Sequence, residues 1–303
     1  MKAWRGAKPW PRPLPLDGPW PGPKALTGLG RVLMRTGAFL LWTAICVPVQ
    51  ALFLVLPGRG KAWFTTIYWS GVCVLLSLRV RVIGTPATGP EPVVFVSNHS
   101  SWLDIPALGA KLQASFIAKN EVGQWPGVSV VARLGRTIYV SRRMTGARRE
   151  NLEIRNRIAA GDSLVLFPEG TTSDGARVMP FRSAFLAIAE TDQPHIIQPV
   201  SIVYDELDYL PVRREQRALF AWFGDMELAS HFARIGRHRG LRVTILFHPP
   251  FDAAHRPSRK RLAQESWRQV AEGAAMLRHN WRDPELLSRI EETTSAAAAG
   301  AGS

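Results

Sequence analysis

Two apolar stretches near the N-terminus set the first limit on what this chain can become. Residues 36–58 hold no charged side chain before Arg59, and residues 62–78 hold none between Lys61 and Arg79. A helix that is apolar around its whole circumference belongs in a core or in a bilayer, not on a wet surface. At about 1.5 Å per residue the first stretch just crosses a hydrocarbon layer of about 30 Å, whereas the second is short for that task. Pro48 interrupts the first, and Gly58-Arg59-Gly60-Lys61 makes a tight polar turn between the two, so the pair reads as a helical hairpin. Spanning twice puts Arg59 and Lys61 on the far side, against the usual cytoplasmic preference of cationic loops. A hairpin dipping into one leaflet lets both side chains snorkel and is the favoured reading. Two buried helices of a soluble protein are the remaining alternative. A cleaved signal peptide fits worse, because the apolar run starts late, is too long and lacks a small-x-small cleavage site.

Around the hairpin the pattern changes twice. Residues 1–24 are crowded with proline, glycine, tryptophan and basic residues. Such a segment cannot be helical or form a core, so residues 1–35 are assigned to an extended basic arm in which Trp4, Trp10 and Trp20 suit a headgroup layer. From Arg79 onward short β-type runs alternate with helical ones. Strands are predicted at residues 79–83, 92–97, 114–118, 137–141, 163–167, 196–204 and 241–247, and helices at 146–160, 183–190 and 258–279. Continuous apolar strands alternating with helices imply an α/β domain over residues 79–292, with a mixed, largely parallel sheet flanked by helices. Residues 293–303, rich in alanine and glycine, read as a disordered tail.

The balance of 38 basic against 24 acidic residues gives a formal charge of +14, most of it from arginine. That surface wants a polyanion, either nucleic acid or an anionic bilayer. Cys46 and Cys73 both lie inside the apolar stretches, which favours two buried thiols over a disulfide or a metal site.

Four clusters carry chemistry. The first, residues 97–104 (SNHSSWLD), follows a predicted strand, where open α/β sheets usually bind ligands. His99 there can take a proton from a hydroxyl. If a helix starts near Ser100 or Ser101, Asp104 lies about a turn beyond and can accept from the other ring nitrogen, fixing the tautomer as in a serine-protease triad. No serine nucleophile is needed if the substrate brings its own hydroxyl. The second cluster, residues 166–175 (LFPEGTTSDG), also follows a strand. Its glycines and small hydroxyl residues free backbone N–H groups, and Glu169 can hold hydroxyls. The third, residues 135–143, is a strand leading into Arg142 and Arg143, and arginine forks suit phosphate. The fourth, residues 198–204, passes alone as core.

Together the clusters resemble the glycerolipid acyltransferases of the lysophosphatidate acyltransferase type. Residues 98–104 look like their NHxxxxD box, 135–142 like their second block, 167–171 like FPEGT and 199–202 like the fourth block, all in the family's order. The apolar hairpin matches the family's two-helix membrane anchor. The resemblance implies a glycerolipid acyltransferase-like fold, His99 as base and Asp104 as its orienting partner. It implies that Asn98, Arg142, Glu169, Gly170, Thr171 and Thr172 shape or bind the acceptor. Acyl-CoA or acyl carrier protein is the implied donor, with no metal and no further cofactor, and membrane lipids are the partners. The catalytic domain is expected on the cytoplasmic face of the inner membrane. One departure stands out: members using lysophosphatidate usually carry Arg after Glu-Gly-Thr, whereas this chain has Thr172 and continues to Asp174. Arg142, Arg143, Arg177 or Arg182 are candidates to compensate. Lysophosphatidate leads as acceptor, with lyso-ornithine lipid or another lysophospholipid as the alternative.

Two readings from other classes compete. A basic, membrane-tethered nucleic-acid-binding protein is supported by charge, but no recognised motif for such binding is present and no nucleic acid is expected as partner. A hydrolase activating water with His99 and Asp104 lacks both a Gly-x-Ser-x-Gly elbow and a second carboxylate–histidine set.

Overall fold

The computed structural model describes residues 25–58, 60–119, 130–132, 135–140, 147–190, 195–252 and 258–279. The proline-rich arm over residues 1–24, Arg59, Arg142, Arg143 and the tail lie outside the described residues. Two helices come first, α1 (Ala25–Val55) and α2 (Gly60–Leu75), then the strands β1 (Leu78–Ile83) and β2 (Val93–Ser97). The short helix α3 (Asp104–Gly109) precedes β3 (Ala114–Lys119), β4 (Ile138–Val140), α4 (Ala147–Ala159) and β5 (Ser163–Leu166). A 3-10 segment (Ser183–Glu190) leads to β6 (Ile196–Leu207) and the two-residue β7 (Leu210–Pro211). The last described elements are α5 (Arg217–Phe220), α6 (Leu228–Gly236), β8 (Leu241–Phe247), β9 (Phe251–Asp252) and α7 (Arg259–Arg278).

The main path of the sheet runs β1-β8-β6-β2-β5-β3-β4, with β7 and β9 paired to β6. The pairings β1–β8, β2–β5, β2–β6, β3–β5 and β3–β4 are parallel, and only those of β6 with β7, β8 and β9 are antiparallel. The sheet is therefore mixed and largely parallel, as the run of strands implies. All five residues of β2 are buried, and eight consecutive residues of β6 are, which is the pattern of strands covered on both faces. Side chains alternate between the two layers. Val93 and Phe95 join the cluster with α2 and α3, while Val94 and Val96 join the one with α4 and α7.

The helical pair departs from a free-standing anchor in two ways. α1 begins at Ala25 and so takes in residues 25–35, which composition assigns to the arm. Proline stops at Pro23, and the arginines of this extra length bond the catalytic domain. Arg35, 3% exposed, donates to the carbonyls of Gly236 at 2.9 Å and His238 at 2.8 Å and to Ser77 Oγ at 2.7 Å, and Arg31 reaches the carbonyl of Arg237. In addition, α2 buries Phe64, Tyr68, Val72 and Cys73 in the core beneath the sheet. The outer side of α1 stays apolar and uncovered at Leu33, Met34, Leu40, Leu41, Ile45 and Val55. Residues 27–55 are long and apolar enough to cross a membrane.

Candidate active site

Parallel pairing puts the two main sequence clusters side by side. Val96 of β2 is in register with Leu166 of β5, so the chain leaves both strands at the same edge of the sheet, toward His99 on one and Glu169 on the other. Neighbouring β6 runs parallel to β2 and continues past its end, from Val200 opposite Ser97 to Leu207. The loop 98–103 is fastened to this overhang. Asn98 is 1% exposed, and both ends of its amide bond the backbone of Ile202, accepting at 2.9 Å and donating at 3.0 Å. Asn98 thus clamps the loop, with both ends of its amide occupied by the backbone of Ile202.

His99 Nδ1 bonds Asp104 Oδ2 at 2.8 Å. The geometry differs in one respect from that expected. α3 starts at Asp104 itself, not at Ser100 or Ser101, because the Asp104 carboxylate turns back on the loop and takes its free donors. Oδ2 accepts from Ser100 N at 2.8 Å and Ser101 N at 3.0 Å, and Oδ1 accepts from Tyr204 Oη at 2.6 Å. Four donors around one fully buried carboxyl suit the acceptor-only carboxylate. Burial, followed by the charge of Asp104, holds the Tyr204 phenol well above its usual range, so it stays a donor. In the sequence Tyr204, within the cluster 198–204, reads as core. The signal was available: a buried tyrosine usually finds a partner for its hydroxyl.

The His99 side chain is 18% exposed, and its ring stacks on Phe167 with centroids 4.1 Å apart and planes 17° from parallel. Nδ1 is engaged by Asp104, whereas Nε2 has no hydrogen bond among the described residues. The second cluster closes on this ring. Glu169 Oε1 accepts from His99 N at 3.0 Å, and Ser173 N donates to the His99 carbonyl at 2.8 Å. Glu169 is 2% exposed, and its Oε2 is buried without a partner. Burial pushes its carboxyl up to about 8, opposed by N–H donors from His99 and Met179 and then by Arg278, and reinforced by Asp104. Gly170 turns the chain at φ +69°, and a Cβ there would stand 2.7 Å from the Phe185 ring. Its N–H closes the turn on the Phe167 carbonyl at 3.1 Å, while no hydrogen bond among the described residues engages the N–H groups of Thr171 and Thr172.

The expected residues His99, Asp104, Glu169, Gly170, Thr171 and Thr172 therefore converge, and Arg142 lies outside the described residues. Two further features escaped the sequence. Trp102 Nε1 donates to His231 Nδ1 at 2.9 Å, which pins the loop onto α6, and burial lowers His231 to about 4, keeping it a neutral acceptor. Arg278, 109 residues further along the chain, brings a positive charge to Glu169.

A histidine braced by a carboxylate, with its other ring nitrogen unengaged among the described residues and a glycine turn beside it, is an arrangement able to take a proton from a hydroxyl. Residues 79–203 match the family described as Acyltransferase. The chain is 37% identical over 246 residues to the lyso-ornithine lipid O-acyltransferase of Brucella abortus (strain 2308), covering 79% of this chain and 92% of that one. It is 31% identical to the 1-acyl-sn-glycerol-3-phosphate acyltransferase of Neisseria meningitidis serogroup B, over 66% of this chain and 77% of that one. The crystal structure of the 1-acyl-sn-glycerophosphate (LPA) acyltransferase from Thermotoga maritima shares the fold, with a TM-score of 0.59 at 22% identity over 85% of this chain and 97% of that one. The protein belongs to this lysophospholipid acyltransferase family and is an O-acyltransferase.

Proposed function

We propose that this enzyme moves a fatty acyl group from a thioester donor, acyl-CoA or acyl carrier protein, onto the free hydroxyl of a lyso-ornithine lipid. The observation carrying the chemistry is the 2.8 Å bond from His99 to Asp104, which leaves Nε2 of a partly exposed ring as the free base. The acceptor hydroxyl gives its proton to Nε2 as its oxygen attacks the thioester carbonyl. The tetrahedral oxyanion collapses, the carbon–sulfur bond breaks, and the imidazolium returns the proton to the departing sulfur. N–H groups of Thr171 and Thr172, unengaged within the described structure, are the nearest candidates to stabilise the oxyanion.

The choice of acceptor rests on two supports. The Brucella relative covers more of both chains, at higher identity, than the Neisseria one. Residue 172 is threonine, and Asp174 follows it, a poor setting for a phosphomonoester. This reading places first the acceptor that sequence alone ranked second. The apolar outer side of α1 supports anchoring in the bilayer that holds both acceptor and product, with basic residues adding roughly 1 kcal/mol each near an anionic surface.

The test is to incubate the vesicle-reconstituted enzyme with labelled acyl donor and a panel of lysolipids, and to identify products by mass spectrometry. O-acylated ornithine lipid is the expected product. Exclusive acylation of lysophosphatidate would replace the acceptor, and free fatty acid alone would replace transfer with hydrolysis.

A further inference from the structure

Behind the loop 98–104 lies a small recess with about 20 Å³ of free space and an open mouth, walled by Ser100, Gly175, Tyr204, Phe220, Arg217 and Arg278. Its position is tied to the dyad. Ser100 follows His99 and donates its N–H to Asp104, and Tyr204 bonds Asp104 from the other side. Arg278 is the last residue of α7, and its carbonyl accepts from Arg217 Nη2 at 2.9 Å, which holds two guanidinium-bearing residues next to each other. Burial lowers Arg278 to about 10, and the charge of Arg217 pushes it the same way, while Glu169 and Asp174 oppose. Burial also lowers Arg217, followed by the charge of Arg214. No hydrogen bond or ion pair among the described residues engages the Arg278 guanidinium.

Arg278 is largely buried and Arg217 only partly, so the two like charges are incompletely hydrated, and an anion between them relieves their repulsion. The recess is therefore built like a site whose counter-charge arrives with a ligand. It also answers the departure noted at Thr172: the cation missing after Glu-Gly-Thr is present beside Glu169, delivered from the far end of the chain.

We propose that Arg217 and Arg278 form the anion subsite for the acceptor, gripping the carboxylate of an amino-acid headgroup while the acceptor hydroxyl lies at His99. This rests on the lysolipid reading above. The same pair of forks matches a phosphate, so the shared chemistry is an anionic headgroup oxygen. Asp174, whose Oδ1 accepts from Ala176 N at 2.9 Å, keeps its other oxygen for the ammonium that an amino-acid headgroup carries and a phosphate headgroup lacks.

The experiment compares KM for acceptor and donor in the full-length, vesicle-reconstituted enzyme and its Arg278→Gln and Arg217→Gln variants. Acceptors are lyso-ornithine lipid, its carboxamide analogue and lysophosphatidate. The expected result is an acceptor KM raised about tenfold to a hundredfold, the usual worth of a charge-assisted hydrogen bond, with donor KM unchanged. The carboxamide should bind the wild type weakly and lose nothing further in the variants, and Arg278→Lys should restore part of the loss. An unchanged acceptor KM, or equal losses with carboxylate and carboxamide, overturns the subsite. A rise in donor KM alone assigns the arginines to the donor's phosphates and overturns the acceptor assignment. If Arg278→Gln does not fold, Arg217→Gln carries the same comparison. If the wild type leaves lyso-ornithine lipid untouched, the acceptor reading fails, and the KM for lysophosphatidate then decides the arginine subsite separately.

Discussion

The loop after β2 and the helix α1 are both conspicuous in the sequence, yet they are held in place in opposite ways. In the loop polar bonds fix everything: Asp104 takes four donors, Asn98 is tied at both ends and His99 is bonded at its ring and its backbone. Along α1 most of the apolar surface faces outward, and Arg31 and Arg35 bond the helix to the carbonyls of residues 236–238 while Phe39, Trp42 and Cys46 pack against the core. Apolar character decides which surface leaves water. A few directed bonds decide where the element sits.

Breaking the loop should have the largest effect. His99→Ala is expected to lower turnover by roughly a hundredfold to ten-thousandfold, the usual worth of a positioned base. Asp104→Asn should fall within about tenfold of it, and the double variant should be no worse than His99→Ala, because the two residues act as one unit. Additive losses in steady-state assays would mean that they work independently. On the helix side, Arg35→Met removes bonds to buried carbonyls and should cost about 1.5–3 kcal/mol of stability, read by thermal unfolding in detergent. An unchanged midpoint would show that apolar packing alone seats α1. Tyr204→Phe sharpens the contrast, since it removes one donor from Asp104 and leaves the packing. A loss of roughly tenfold in kcat, with folding intact, is the expected outcome.

A further comparison concerns pH. In the unfolded chain a glutamate titrates at 4.5, and in the fold Glu169 does so at about 8. The fold therefore favours the neutral form; that contribution is complete below 4.5 and is lost as pH rises through 8. Glu169→Gln should flatten the decline of the unfolding midpoint across this window. Identical slopes in variant and wild type would contradict the raised value.

Much of this was legible in the residues. Every strand expected between residues 79 and 247 is present, because strands buried on both faces leave unbroken apolar runs. Strand direction was not legible: nothing in the residues of β6 or β8 announces that these two run antiparallel. α6 escaped too, a nine-residue helix with a single arginine, Arg234, and with His231 turned inward. At the site, His99, Asp104 and Glu169 stood out because short-range spacing carries them. Tyr204, Arg217 and Arg278 did not, since the fold brings them from 100 or more residues away. Asn98 was legible as part of a motif but not as a clamp, because only the overhang of β6 supplies its partner.

The central claim is that His99 acts as a base toward the acceptor's own hydroxyl, so that no acyl group is ever attached to the protein. Rapid-quench incubation of the enzyme with labelled acyl donor tests this most directly, first without acceptor and then with lyso-ornithine lipid. The expected result is unlabelled protein in both cases and label in the lipid only when acceptor is present. Labelled protein at His99, Ser100 or Ser101, formed without acceptor and chased into lipid, would contradict it.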